Sequence, residues 1–247
     1  MTTHREPVLF SWSGGKDSAL ALHRVLSSGR YEVVALLTTI NEHYQRVSMH
    51  GVRVELLEAQ AHAIGLPLEK MFVSERSSNE EYAERMQAIL LRYQALGVGL
   101  VVFGDIFLAD LRQWREANLA RIGMKALFPL WNEDTTRLIA EFHANGFRSI
   151  VCCANDAYLG ESHVGAELDP AFVAALPSSV DPCGENGEYH SFAFAGPIFR
   201  APVAVVIGEK VYRPVELTHP GATVAPADSS PDRPATKGFW FCDLTEG

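Results

Sequence analysis

The chain has 247 residues, 47% of them hydrophobic, with 21 Lys and Arg against 30 Asp and Glu and a formal net charge of -9. That is enough for one large domain or two modest ones around a buried core, and it excludes a disordered or fibrous chain. No apolar run approaches the roughly 20 residues that span a bilayer, and Met1-Thr2-Thr3-His4-Arg5-Glu6 lacks the apolar stretch of a secretory signal, so a soluble, cytoplasmic protein with no membrane partner is expected. Cys152, Cys153, Cys183 and Cys242 include no C-x-x-C pair, which argues against zinc and against a disulfide framework. The acidic charge argues against a broad nucleic-acid surface, since phosphate neutralisation needs clustered Lys and Arg.

Val8-Leu9-Phe10 reads as a first strand, and Ala19 to Leu26 as a helix with apolar residues at i, i+3 and i+4. Gly29 reads as the stop of that helix, and Val33 to Leu37 as a second buried strand ending at Thr38-Thr39. A helix over Val52 to Ile64 closes at Gly65-Leu66-Pro67, a third strand runs from Leu68 to Val73, and an amphipathic helix from Asn79 to Leu96. Leu100 to Phe103 is a fourth strand ending in Gly104-Asp105, followed by a helix from Leu108 to Ile122 that carries Arg112, Arg115 and Glu116. This alternation predicts a parallel, Rossmann-like α/β sheet with helices on both faces, whose ligands gather at the carboxyl ends of the strands. Arg115 and Glu116 are equally readable as a solvated surface pair.

From about Lys125 the rhythm changes. One more helix (Thr135 to Asn145, Asp134 as N-cap, Gly146 as stop) and a strand (Ser149 to Cys153) precede three strand-like runs, His190 to Phe194, Val203 to Ile207 and Phe239 to Phe241. The expected organisation is an α/β nucleotide-binding domain over 1–125 and a smaller α+β domain over 126–247, with a mobile, proline-rich loop near 220–237.

Between the first strand and helix lies Ser13-Gly14-Gly15-Lys16-Asp17-Ser18. Free backbone N-H groups and the positive end of the dipole at a helix start attract an anion, and glycines allow close approach. A Walker A loop is excluded, because Phe10 stands where its first glycine belongs and Asp17 where its hydroxyl residue belongs; the dinucleotide G-x-G-x-x-G pattern fails because Gly14 and Gly15 are adjacent. S-G-G-K-D-S resembles the PP-loop of the ATP pyrophosphatases, which implies that ATP is held by its β and γ phosphates while chemistry occurs at the α phosphate.

A second constellation is Asp181-Pro182-Cys183-Gly184-Glu185-Asn186-Gly187-Glu188-Tyr189-His190. Three carboxylates and an imidazole on one turn perturb one another's protonation, as in sites that hold a cation, a metal or an amine. A plain solvated hairpin has the same composition. The segment resembles the D-P-C-G-E-x-G-E-Y-H signature of the diphthine-ammonia ligase family. Gly196-Pro197-Ile198-Phe199, Gly104-Asp105-Ile106, Arg115-Glu116 and Leu127-Phe128-Pro129-Leu130-Trp131 resemble its other motifs, so the likeness runs from Ser13 to about Phe199.

Membership in that family would imply an enzyme that activates a carboxylate with ATP, in the family the carboxylate of diphthine on elongation factor 2, before ammonia displaces AMP. By resemblance, Ser13, Gly14, Gly15, Lys16, Asp17 and Ser18 contact pyrophosphate, with Mg2+ bridging Asp17 to the phosphates. Thr38, Gly104 and Asp105 complete the nucleotide crevice. Glu185, Glu188, Tyr189 and His190 would by the same resemblance face the acceptor, with Arg115, Cys183, Gly184 and Gly187 expected beside them. His50 is expected there too, at a helix start, although it is equally readable as a structural histidine. Asp17, Glu185, Glu188 and His190 are the catalytic candidates. The stretch Asn41 to Arg53 resembles a branch of the family associated with bacteria, which implies the same activation chemistry on a different acceptor. Two other readings stay open: a PP-loop tRNA-modifying enzyme, for whose sulfur relay Cys183 is the placed candidate, and a nucleotide-binding protein without turnover. A homo-oligomer is left open. Asp17→Ala is expected to abolish AMP formation with little loss of folding.

Overall fold

The computed structural model describes residues 5–47, 50–74, 77–215 and 235–247. The loop expected near 220–237 lies outside the described residues up to 234. Ten strands and six helices follow one another as β1 (Glu6–Ser11), α1 (Lys16–Ser27), β2 (Tyr31–Asn41), β3 (Arg46–Val47), α2 (Val54–Ile64), β4 (Leu68–Val73), α3 (Asn79–Ala95), β5 (Leu100–Val102), α4 (Ala109–Ala120), β6 (Lys125–Leu127), α5 (Thr135–Ala144), β7 (Arg148–Asn155), α6 (Pro170–Ala175), β8 (Tyr189–Ala195), β9 (Val205–Pro214) and β10 (Gly238–Glu246) among the described residues.

The first sheet runs β4-β2-β1-β5-β6, all parallel, with the short β3 folded back antiparallel onto the end of β2. This is the expected parallel α/β architecture. Alternation along β1 explains why both faces are covered: Val8 and Phe10 point to the side packed by α1, α2 and α5, whereas Leu9 points to the side of α3 and α4. The chain leaves β1 toward β2 on one side and returns to β5 on the other, so the carboxyl end of β1 is the switch point at which open α/β sheets bind ligands. The Ser13 loop sits there.

The second sheet, β8-β7-β10-β9, is wholly antiparallel, as expected of a smaller α+β unit. Its β7 and β8 share a continuous apolar core with α1, α2 and α5 of the first sheet, through Phe142, Phe147, Val151, Phe192 and Ala193. Helix signals read from the sequence hold at the atomic level: Asp134 accepts from the Arg137 amide at 2.9 Å, and Gly65 ends α2 in the left-handed region. Ser78 and Glu81 form a reciprocal capping box on α3.

Candidate active site

The phosphate-type loop is built where β1 hands over to α1. Ser13 and Ser18 hydroxyls lie 2.6 Å apart across it, and the first intrahelical bond, Ala19 N to Gly15 O at 3.0 Å, leaves the Asp17 and Ser18 amides ahead of the helical ladder. An anion at that point would meet amides that lie outside the helical ladder and the positive end of the helix dipole. Gly104, at the end of β5, closes the crevice from below: a methyl there would lie 3.1 Å from the Ser18 amide nitrogen and 3.2 Å from the Asp17 carbonyl carbon.

The edge of the second sheet is docked onto this loop. Ala193 N donates to Gly14 O at 2.8 Å, and Lys16 N donates to Ser191 Oγ at 3.2 Å. Gln60 is completely buried in α2 and joins three elements, donating to Gly14 O and Ala193 O while accepting from Trp12 Nε1 at 2.9 Å. Gln60, Trp12 and Ser191 were not among the residues expected here. Nothing in the local pattern of an apolar helix marks one glutamine as a clamp between two sheets.

Lys16 is turned inward. Its ammonium donates to both carboxylate oxygens of Asp17, at 2.9 and 2.7 Å, and lies over the Tyr189 ring, 5.5 Å from its centre. Burial works against the Lys16 charge, but Asp17 outweighs it and the ammonium is held well above its ordinary value. Burial likewise pushes the Asp17 carboxyl up, against the pull of Lys16.

The turn 181–190 sorts its carboxylates into different jobs. Glu188 is buried and faces its own turn, accepting from the amides of Asp181 and Asn186 at 3.0 and 2.9 Å and from the Asn186 side chain at 3.1 Å. Asp181 caps the same turn through the amides of Cys183 and Glu185 and accepts from Thr135 Oγ1 at 2.6 Å. Gly184 has a φ of +68°, and a methyl there would lie 2.8 Å from Tyr189 O, so the turn requires glycine. The buried Tyr189 hydroxyl donates to Pro182 O at 2.6 Å. Gly187 also takes a positive φ, at the turn's exit.

Glu185 is different. Its Oε2 is buried without a hydrogen-bond partner among the described residues, and burial, then the negative charges of Asp17, Asp105 and Asp181, push its carboxyl up to about 8, with Lys16 pulling the other way. A carboxyl that titrates near neutrality suits general acid or base work.

The His50 and His190 rings meet with their centres 4.5 Å apart, tilted by 31° to one another. His50 Cε1 lies 3.3 Å from where a Gly15 methyl would be. Burial and then Lys16 lower His50 to about 4, with a hydrogen bond to the Ser191 backbone opposing. Burial, His50 and Lys16 together hold His190 well below its ordinary value, so both are neutral imidazoles. Arg115 pairs with Asp105 rather than standing with Glu116. Its Nη2 donates to Asp105 Oδ1 at 3.3 Å, and its Nε approaches Oδ2 at 2.9 Å as an ion contact poorly aligned for a hydrogen bond. Glu116 instead accepts from Arg112 one helical turn earlier. Thr38 lies inside β2, which runs on to Asn41 rather than ending at Thr38-Thr39, and its buried hydroxyl has no hydrogen-bond partner among the described residues.

Among the described residues, no three His, Cys, Asp or Glu side chains converge on a metal position. Mg2+ is held commonly by one or two carboxylates, with substrate phosphates and water completing its shell. The hard oxygens of Asp17, both of which accept from Lys16, and Glu185 Oε2, unpartnered among the described residues, fit that mode of binding and no closed cage. Cys183 does not fit a reactive thiol: it is buried, donates to Thr135 O, and burial pushes it far above the usual thiol range.

A parallel α/β sheet with a PP-loop at its switch point, closed by an antiparallel sheet that brings an acidic turn onto the loop, defines a nucleotide-binding protein of the PP-loop class. Residues 7–126 match the family model of the diphthamide synthase N-terminal domain, and residues 134–218 that of the diphthamide synthase C-terminal domain. The chain belongs to the diphthamide synthase family. It is 26% identical over 224 residues to a diphthine-ammonia ligase of Danio rerio, covering 81% of this chain and 86% of that protein. A diphthine-ammonia ligase of Rattus norvegicus is 25% identical over 240 residues, and one of Homo sapiens 24% over 243, each covering 85% of this chain and 86% of the relative.

Proposed function

We propose that this protein is an ATP-dependent carbon-nitrogen ligase that adenylates a carboxylate, releases pyrophosphate, and then forms an amide with ammonia, releasing AMP. One observation carries the reading: the acidic turn and the PP-loop share a wall, with Lys16 N bonded to Ser191 and the Glu185 carboxyl in the field of Asp17. An acceptor activated at the α phosphate would therefore face the turn without leaving the site.

In this reading, Ser13, Gly14, Gly15, Asp17 and Ser18 hold the β and γ phosphates at the start of α1. Thr38, Gly104 and Asp105 border the nucleotide. A carboxylate oxygen of the acceptor bonds to the α phosphorus as the bond to the bridging oxygen breaks and pyrophosphate leaves. Ammonia then adds to the activated carbonyl carbon, the bond to AMP breaks, and one ammonia proton is lost. Glu185 in its ionised form would take that proton: its raised value makes it a stronger base than an ordinary carboxylate, and the ionised fraction grows as pH rises toward 8. Mg2+, when bound at Asp17, would supply charge neutralisation of the phosphates. Glu188, Tyr189, Gly184 and Gly187 hold the turn in shape, and His50, His190, Arg115 and Cys183 border the acceptor side. Residues 1–125 act as the nucleotide-binding unit and 126–247 as the acceptor side. Diphthine on elongation factor 2 is the acceptor if the source organism makes diphthamide. Four free, buried cysteines suit a reducing cytoplasm, and no described helix is long and apolar enough to cross a membrane.

The test uses ATP labelled at the α or γ phosphate, with Mg2+, ammonium and a panel of carboxylates. Label is expected in AMP and pyrophosphate only when acceptor is present. Release of ADP and phosphate instead, or ATP binding with no turnover on any acceptor, would refute the ligase.

A further inference from the structure

Strand β10 lies outside both matched segments, 7–126 and 134–218, yet it reaches the candidate site. Asp243 on β10 accepts from Arg46 Nη2 at 2.9 Å and from Arg53 Nε and Nη2 at 2.9 and 2.7 Å. These two arginines face each other as a bridge across a turn, at either foot of the segment that carries His50. Arg46 also donates to Gly51 O at 2.7 Å, and the turn is closed by Val47 N to Val52 O and Gly51 N to Val47 O. Gly51 presses against β10 so closely that a methyl there would lie 2.7 Å from the Phe241 ring.

We infer that Asp243 is a positioning residue, which clamps Arg46 and Arg53 at the two feet of the segment that carries His50, so that the His50 ring is held against Gly15 and His190. The inference rests on the ligase reading only for its kinetic consequence; the clamp itself is a matter of geometry. The side chains involved are 27 to 40% exposed, and ion pairs that wet add little to global stability. What the forked, bidentate arrangement supplies is direction. Asp243 is held at about 2, chiefly by the Arg53 hydrogen bonds and then Arg46, so the clamp stays ionised across the working range. The titratable groups facing His50 are His190 on β8 and Lys16 at the start of α1, beside the Ser191 backbone.

The experiment compares wild type, Asp243→Asn, Asp243→Glu, Arg53→Gln and the double variant Asp243→Asn/Arg53→Gln. Amide exchange at Val47, Gly51 and Val54 is expected to speed up about tenfold or more in both single amide variants, with β1 and β5 unchanged. The imidazole resonances of His50 and His190 should shift, Asp243→Glu should restore both signals in large part, and the double variant should be no worse than either single. In the ATP assay kcat should fall about ten- to a hundredfold with KM for ATP within a factor of two. Unchanged His50 resonances in a folded Asp243→Asn protein overturn the clamp, whatever the turnover. Faster exchange with unaltered kcat overturns the positioning role. A wild type with no turnover at all bears on the ligase reading alone, and Arg53→Gln gives the same answers if Asp243→Asn does not fold.

Discussion

Lys16 donates to both carboxylate oxygens of its own neighbour Asp17, and the pair is sunk into the loop with side chains 5 and 28% exposed. From sequence alone Asp17→Ala is expected to cost little folding. The buried pair changes that expectation, because the substitution strands an ammonium in a nonpolar setting, at a cost of about 3 kcal/mol. At this chain length that corresponds to a melting point lowered by about 6 to 12 °C. Asp17→Asn keeps an acceptor for Lys16 and should melt closer to wild type, while both variants lose AMP formation. A thermal scan beside an AMP assay separates the two effects, and Asp17→Ala melting at the wild-type temperature would contradict the pair's structural role.

Glu185 and Glu188 sit three residues apart and should respond in opposite ways. Glu188→Gln sets an amide donor against the donors of Asp181 and Asn186, leaving at least one unsatisfied, for a loss of about 1 to 3 kcal/mol in urea denaturation. Glu185→Gln removes a carboxyl that the fold disfavours as an anion. The unfolded chain ionises it near 4.5, whereas the folded site keeps its proton to about 8. Below 4.5 both states carry the proton and the two proteins should be alike. Between 4.5 and 8 the folded wild type binds more protons than the unfolded, so its stability falls relative to Glu185→Gln as pH rises. Above 8 the difference is constant. Melting curves from pH 4 to 9 check this, and a difference that does not grow over that window counts against the assigned environment. Amide formation by Glu185→Gln should drop at least tenfold if it is the base.

How far the sequence could be read follows from the range of each interaction. Strands β1, β2, β4 and β5 and helices α1 to α5 were legible because burial on one or both faces prints a period that only local residues determine. Strand β6, Lys125–Leu127, went unread: three residues, none of them fully buried, make no pattern. Strand β9 runs on to Pro214, well past the expected Ile207, because an exposed outer strand carries polar residues that look like loop. The apolar run of β7 announces a buried strand but cannot say which sheet holds it. The same limit applies to the site. Residue types located Asp17 and Glu185, but the clamp by Gln60 arises from contacts 46 to 133 residues apart, and even the local bonds of Glu188 within its own turn and of Arg115 to Asp105 depend on a three-dimensional turn geometry that composition does not print.

Gly104 offers a test of the crevice that leaves charge untouched. Its position, 3.1 Å from the Ser18 amide for any added methyl, means that Gly104→Ala must push the start of α1 by a few tenths of an ångström. That displaces the Asp17–Ser18 backbone, the proposed phosphate donors. The expected result is a KM for ATP raised about tenfold, an energy of about 1.4 kcal/mol, with a melting point within a few degrees of wild type. Calorimetric titration with a nonhydrolysable ATP analogue measures it directly, and unaltered affinity would place the nucleotide elsewhere.

Cys183 decides between amide formation and a sulfur relay. A relay needs an accessible thiolate, since the thiol itself is a poor nucleophile. Here the thiol points at Thr135 O, 3.3 Å away, is almost wholly buried, and is pushed up by burial and by the carboxylates of Asp17, Asp181 and Glu185, with only Lys16 pulling it down. Iodoacetamide at pH 8 should therefore leave Cys183 unmodified in the native protein and label it after addition of denaturant, as read by peptide mass. The other three cysteines are buried as well, so native labelling should be near zero overall. Rapid native alkylation at Cys183, with loss of turnover, would mean that the turn opens in solution and would return the tRNA-thiolation reading to contention; slow labelling with full turnover leaves carboxylate activation as the chemistry this turn is built to face.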